Sequence, residues 1–271
     1  MATDVLVNSF VVPAATLHDT IAEMTKQNQS SDHARPGQFF TTRWSIVRSA
    51  GRTSSPGAKL ALEALCKAYW FPLYAYARRR VPDIGEAQNL TQAFFVELLE
   101  KNYVGTATPD RGKFRSFLLT AFKHFLSKER EKAHAQKRGG GRLPISLDFQ
   151  SVDSSFSIEP ASGLTAEQVF DQQWAIALLN RIMERLKDEF IQSGKLDQFE
   201  ELKGFIIGDH SGMTYSQVSV KLDMTEAAAR KAASRMRQRY GELLREEIAQ
   251  TVTGTDEIEN EIHSLFQALQ H

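Results

Sequence analysis

Little in this chain could staple it, anchor it or make it reactive. One cysteine, Cys66, among 271 residues excludes an internal disulfide. It falls on an apolar helical stripe, where cysteine acts as a small core residue, and the expected compartment is a reducing cytoplasm. The seven histidines are scattered, and no Cys/His group has zinc-site spacing. No HExxH pair, phosphate loop, nucleophile elbow or metal-spaced His/Asp cluster occurs; His124 and His134 are ten apart, too far for adjacent helical turns. The expectation is a protein without metal or cofactor that is not an enzyme. Residues 1–15 have no basic stretch, and nothing later approaches the roughly eighteen apolar residues of a membrane span, so neither signal peptide nor span is expected. The alternation with period two that a half-buried sheet requires is missing. So is net charge: 33 Lys+Arg stand against 33 Asp+Glu.

What the chain has is helical periodicity and enough apolar residues, 42%, to bury real cores. Leu62, Leu65, Cys66, Tyr69, Trp70, Leu73, Tyr74 and Ala77 form one stripe at three-four spacing. Pro72 inside it removes a backbone bond and is expected to kink the helix. A second helix, about 84–101, has Ala87, Leu90, Phe94 and Leu98 inward, widened by Phe95 and Leu99. A third, about 113–136, has Phe114, Phe117, Leu118, Ala121, Phe122, Phe125 and Leu126 inward. A short helix is expected over 43–50, ended by Gly51.

Residues 139–141 are all glycine, and 143–163 carry two prolines, three acids and no Lys/Arg, which reads as an extended acidic linker. Helix resumes at Thr165, which has capping-box spacing with Gln168. Val169, Trp174, Ile176, Leu178, Leu179, Ile182, Met183 and Leu186 supply its buried side as far as about Gly194. One further helix is expected over 197–207. The fold class is therefore all-α, two helical domains joined by the linker. Residues 1–38 read as a disordered extension, with Met24 an alternative start, 39–138 as the first domain and 139–164 as the linker. Residues 165–252 read as the second domain. Residues 253–271 read as an acidic tail, where Ile258, Ile262, Leu265, Phe266 and Leu269 suggest a short amphipathic helix.

Positive charge is concentrated twice in this neutral chain. Residues 111–142 hold ten Lys/Arg against two acids, an excess of eight, and residues 230–239 hold five and no acid. Local density of cations, not net charge, releases counterions from a polyanion. Charge alone also fits two solvated helix faces. The second cluster sits in a helix-turn-helix pattern: a short helix over 215–222 with Val218 and Leu222 inward, a turn at 223–225 with Thr225 capping, and a long helix over 226–248. Ala227, Ala228 and Ala229 keep the start of that helix slim enough for a major groove about 12 Å wide. Tyr215, Thr225, Ala227, Arg230, Lys231, Arg235, Arg237 and Arg239 are the candidate duplex-binding residues; an ordinary helical hairpin is the alternative. In the first cluster, phenylalanines interleave with cations, as a surface holding unstacked bases requires. Lys113, Arg115, Phe117, Lys123, His124, Lys128 and Arg130 are the candidates there, against simple core packing of the phenylalanines.

The order of these segments resembles a bacterial RNA polymerase sigma factor of the extracytoplasmic-function type. Residues 61–80 are similar to the opening of that family's region two. Residues 86–95, Glu-Ala-Gln-Asn-Leu-Thr-Gln-Ala-Phe-Phe, are similar to its Asp-Ala-x-Asp-Leu-x-Gln-Glu-x-Phe signature. Residues 40–45, 114–126, 136–141 and 239–252 resemble a subgroup known from planctomycete- and verrucomicrobial-type genomes. The likeness covers about residues 39–270.

The resemblance implies a region-two bundle and a region-four helix-turn-helix domain. Leu90, Gln92, Phe94 and Phe95 would dock on the clamp helices of the polymerase β′ subunit, with the β flap a second contact. The next helix would melt and read the minus-ten promoter element, the helix-turn-helix would read the minus-thirty-five element as duplex, and the acidic linker would thread the polymerase cleft. Asn89 stands where the family has Asp and Ala93 where it has Glu, removing two acids from the docking face. The tail would dock on the protein's own second domain, or bind an anti-sigma factor or other regulator. Two other classes remain: a stand-alone helix-turn-helix regulator, and a nuclease.

Overall fold

The computed structural model describes residues 58–101, 103–108, 112–136, 163–207, 214–252, 254 and 256–270. The expected helix over 43–50, the extension and most of the linker lie outside them. Among the described residues every regular element is helical: α1 (Ala58–Arg80), α2 (Ile84–Glu100), a 3₁₀ turn (Tyr103–Thr106), α3 (Phe114–Gln136), α4 (Ala166–Gln192), α5 (Leu196–Leu202), α6 (Gly204–Ile207), α7 (Tyr215–Lys221), α8 (Glu226–Ala249) and α9 (Asp256–Leu269). The single helix expected over 197–207 is two pieces broken at Lys203, just before Gly204, a weak helix former.

Local chemistry sets many of the ends. The last turn of α1 carries Arg78, Arg79 and Arg80, favourable beside its partial negative charge. Arg78 Nη1 donates to the carbonyls of Val81 at 3.0 Å and Pro82 at 2.6 Å, and Asp83 Oδ1 accepts the Glu86 amide at the start of α2. Both halves of the Thr165–Gln168 capping box form. A second box, Thr214 with Gln217, opens α7. At the end of α4, Gly194 takes φ +68° while the Lys195 amide reaches back to the Phe190 carbonyl at 2.8 Å, closing the helix with a Schellman turn.

α1 is apolar on more than one face. Ala68, Tyr69, Trp70, Leu73, Tyr74, Ala75, Tyr76 and Ala77 are all buried, where the sequence suggests one stripe. Trp70 stacks on Phe95 of α2, and Tyr69 and Tyr76 meet Phe114 and Phe122 of α3 edge-on. Its remaining face packs along α4. The two run antiparallel: the end of α1 meets the start of α4, where Arg79 Nε donates to the Leu164 carbonyl at 2.9 Å. The sequence reads as two helical domains, yet helices from both sides of the linker join one apolar cluster, because α1 and α4 each expose a second apolar face that the other covers.

α8 packs on α4, and its Ala233, Met236, Tyr240, Leu243 and Leu244 join the same apolar cluster. The Tyr240 hydroxyl approaches the Leu179 carbonyl at 3.4 Å, and full burial pushes its pKa up. α9 covers α4 and α8 with Ile262, Leu265 and Phe266. The amphipathic tail thus docks on the molecule itself.

Candidate nucleic-acid interface

The helix-turn-helix unit is built from local signals. α7 ends at Lys221; Asp223 turns the chain with φ +48°, and the Met224 amide bonds the Ser219 carbonyl at 3.0 Å. Thr225 then caps α8 by accepting the Ala228 amide at 3.2 Å. Val218 is fully buried and Leu222 packs against the core, which fixes α7 on α8. Ala229 and Ala233 are buried, while Ala227 and Ala228 stay exposed and slim.

Burial at positions 229, 233, 236 and 240 turns the opposite side of α8 outward. Lys231 and Arg235 are exposed on it and Arg237 is half-buried at its margin. None of the three belongs to an ion pair among the described residues. Arg230 is exposed as well, but it is steered: its guanidinium lies 4.7 Å from the Tyr215 ring centre and pairs with Glu226 at 2.5 Å. Tyr215 in turn stacks on Phe205 with centroids 4.2 Å apart. Arg239 differs in kind. Glu189 of α4 accepts from its Nε and Nη2 as a two-point pair, and Glu242 and Glu246 hold Nη1 at 3.1 and 3.2 Å. These carboxylates, Glu189 foremost, hold its charge more firmly than usual. Arg239 ties α8 to α4.

The first cluster is divided more sharply. Phe114, Phe122 and Phe125 are buried, and Phe94 meets Phe122 at 4.9 Å and Phe125 at 5.6 Å. Phe117 alone of the four interleaved phenylalanines keeps part of its ring open. It lines a cavity of about 330 Å³ between α2, the 3₁₀ turn and α3, with Tyr103, Phe125, His124 and Lys128 around it. His124 and Arg130 are exposed, and Arg130 has no ion-pair partner among the described residues.

The other cations of α3 are met by carboxylates. Lys128 reaches Glu97 at 3.3 Å, and Glu97 also takes Lys101 at 2.6 Å; these cations, Lys101 first, hold its pKa below the usual range. Lys123 pairs with Glu167 at 2.7 Å, and Arg80 reaches the same oxygen at 3.3 Å. Lys113 and Arg115 both engage Glu261 of α9, with Arg115 Nη1 3.1 Å from Oε1. Arg115 also lies over the Trp174 ring at 4.1 Å. Half-buried Asp171 sits among these groups, and burial raises its pKa.

Of the four residues expected to dock on polymerase, Phe94 and Phe95 are core side chains. They lie on the inner side of α2 because Trp70, Phe122 and Phe125 cover them. Leu90 and Gln92 are half-buried, beside exposed Asn89 and Ala93. Sequence reasoning missed Glu167, Glu189 and Glu261, since pairs separated by 44 to 148 positions leave no periodic trace. The Thr214–Gln217 box was legible from its spacing.

No described helix is long and apolar enough to cross a membrane. No family model, curated protein or solved structure matches the chain.

Proposed function

We propose that the chain is a promoter-specificity factor of the sigma type, a cytoplasmic DNA-binding protein that lends sequence recognition to core RNA polymerase and does no chemistry itself. The observation that carries this reading is the outward face of α8, where Lys231 and Arg235, with Arg237 at its margin, stand without carboxylate partners among the described residues behind a capped three-residue turn. A helix presented in this way fits a major groove, with its first turns against base edges and flanking arginines on phosphates. The duplex it reads would be the minus-thirty-five element.

The cavity beside α3 supports a second contact. Phe117, Tyr103 and His124 offer ring surfaces to an unstacked base, and Lys128 and Arg130 offer charge to the strand. The strand would be the melted minus-ten element. Polymerase docking would fall to the outer side of α2, to Leu90 and Gln92 with Asn89 and Ala93, rather than to the buried phenylalanines.

Run-off transcription with core polymerase, with and without the protein, tests the proposal. Promoter-specific transcript should appear only when the protein is added; no gain on any genomic template would refute it.

A second reading, a stand-alone helix-turn-helix regulator, is favoured by the pairing of Lys113, Arg115, Lys123 and Lys128 with acids, which leaves α8 the more open cationic surface. Sequence-specific duplex binding that is indifferent to polymerase, with no effect on run-off, would select it.

A further inference from the structure

Glu261 is a carboxylate in an unusual place. It is 2% exposed, on a helix whose charged side chains are all acidic: Asp256, Glu257, Glu259 and Glu261. Its partners, Lys113 and Arg115, stand at the start of α3, nearly 150 positions earlier in the chain. Lys113 is still 37% exposed at the side chain, and Arg115 rests on Trp174. Two cations converging on one anion, beside an aromatic face, are what a phosphodiester would need; here the anion comes from the protein.

We propose that α9 is an internal competitor for DNA, with Glu261 occupying the phosphate site formed by Lys113 and Arg115. This rests on the reading that α3 contacts nucleic acid. α9 is held by Ile262, Leu265 and Phe266 and by the exposed pair Arg245–Glu259 at 3.3 Å. Its acidic surface matches the basic start of α3, and a strand of phosphates would replace like with like. Release of α9 frees both cations together.

The test is fluorescence anisotropy of the full chain on a fork-shaped DNA with a single-stranded arm, over a salt series. Glu261→Gln should bind several-fold more tightly than wild type, and its dependence of log affinity on log salt should steepen by about 0.7 for each cation freed on a single strand. Adding Lys113→Ala and Arg115→Ala to that variant should cancel the gain. If Glu261→Gln does not fold, Phe266→Ala, which loosens α9 but keeps its charge, should give the same rise. Equal affinity and equal slope in wild type and a folded variant overturn the latch and leave α8 as a duplex reader untouched. No DNA binding by either protein overturns both readings.

Discussion

Arg239 of α8 and Glu189 of α4 face each other as a two-point pair, Nε to Oε2 at 2.9 Å and Nη2 to Oε1 at 2.8 Å. Four residues earlier, Arg235 is exposed and unpaired among the described residues. One turn of helix therefore separates a structural arginine from one free to meet a ligand. Arginine suits both uses, because its planar fork matches carboxylate and phosphate alike.

Arg239→Ala should cost stability and leave DNA affinity alone. Breaking a charge-assisted pair and leaving Glu189 without it is worth about 1–2 kcal/mol once partial exposure is discounted. A urea titration measures the loss, and a binding titration of the folded variant checks that affinity is unchanged.

Arg235→Ala should do the reverse. Melting is expected to stay within about 0.5 kcal/mol of wild type, as for other exposed positions. Binding to promoter duplex should fall by about 1–3 kcal/mol if Arg235 reads a base, or the salt slope should drop by about one if it holds a phosphate. A variant matching wild type in both would remove Arg235 from the DNA face.

Phe95→Ala should act on folding. The ring is buried and stacks on Trp70 at 5.7 Å, and truncation of such a ring costs about 3–5 kcal/mol. Thermal melting reads this directly. A variant that melts like wild type yet fails to bind polymerase would instead place Phe95 on a docking surface.

Phe117→Ala separates the cavity from the core. The ring is only half-buried, so its stability cost should be smaller than that of Phe95→Ala, while loss of a stacking surface should weaken single-stranded DNA by about 1–3 kcal/mol. Anisotropy on a single strand and on duplex would show the effect on the first alone.

Acid should loosen the charged seams. Glu97, Glu167 and Glu200 all titrate below the usual carboxylate range because lysines bond them, Lys101, Lys123 and Lys203 respectively. Their folded-state pKa values lie below the unfolded ones, so their contributions are present above the unfolded value and are lost as pH falls through the folded values. Asp171 has the opposite sign: burial raises its pKa, so its charge is a penalty at neutral pH that protonation relieves. Asp171→Asn should therefore melt no lower than wild type at neutral pH. A clear drop there would show that the attraction of Arg115 for its charge outweighs desolvation.

The local chemistry of this chain was legible without coordinates. Three-four spacing of apolar residues placed α1 through α4, α7 and α9, the helix-turn-helix pattern placed α8, and cap residues such as Thr165 and Thr225 set starts. The basic residues of α8 were visible as a set. These are short-range effects: a helix is closed by bonds four residues apart, and a cap by bonds three apart.

Tertiary structure decided which of those residues are open to a partner. Phe94 and Phe95 went inward because Trp70 and two phenylalanines of α3 meet them there, and Arg239 was taken by an acid fifty positions away. Lys113 and Arg115 were covered by an acid near the far end of the chain. Helical periodicity records which side of a helix is apolar; it carries no record of the carboxylate that another helix brings, since that pairing exists only once α9 has folded back onto α3 and α4.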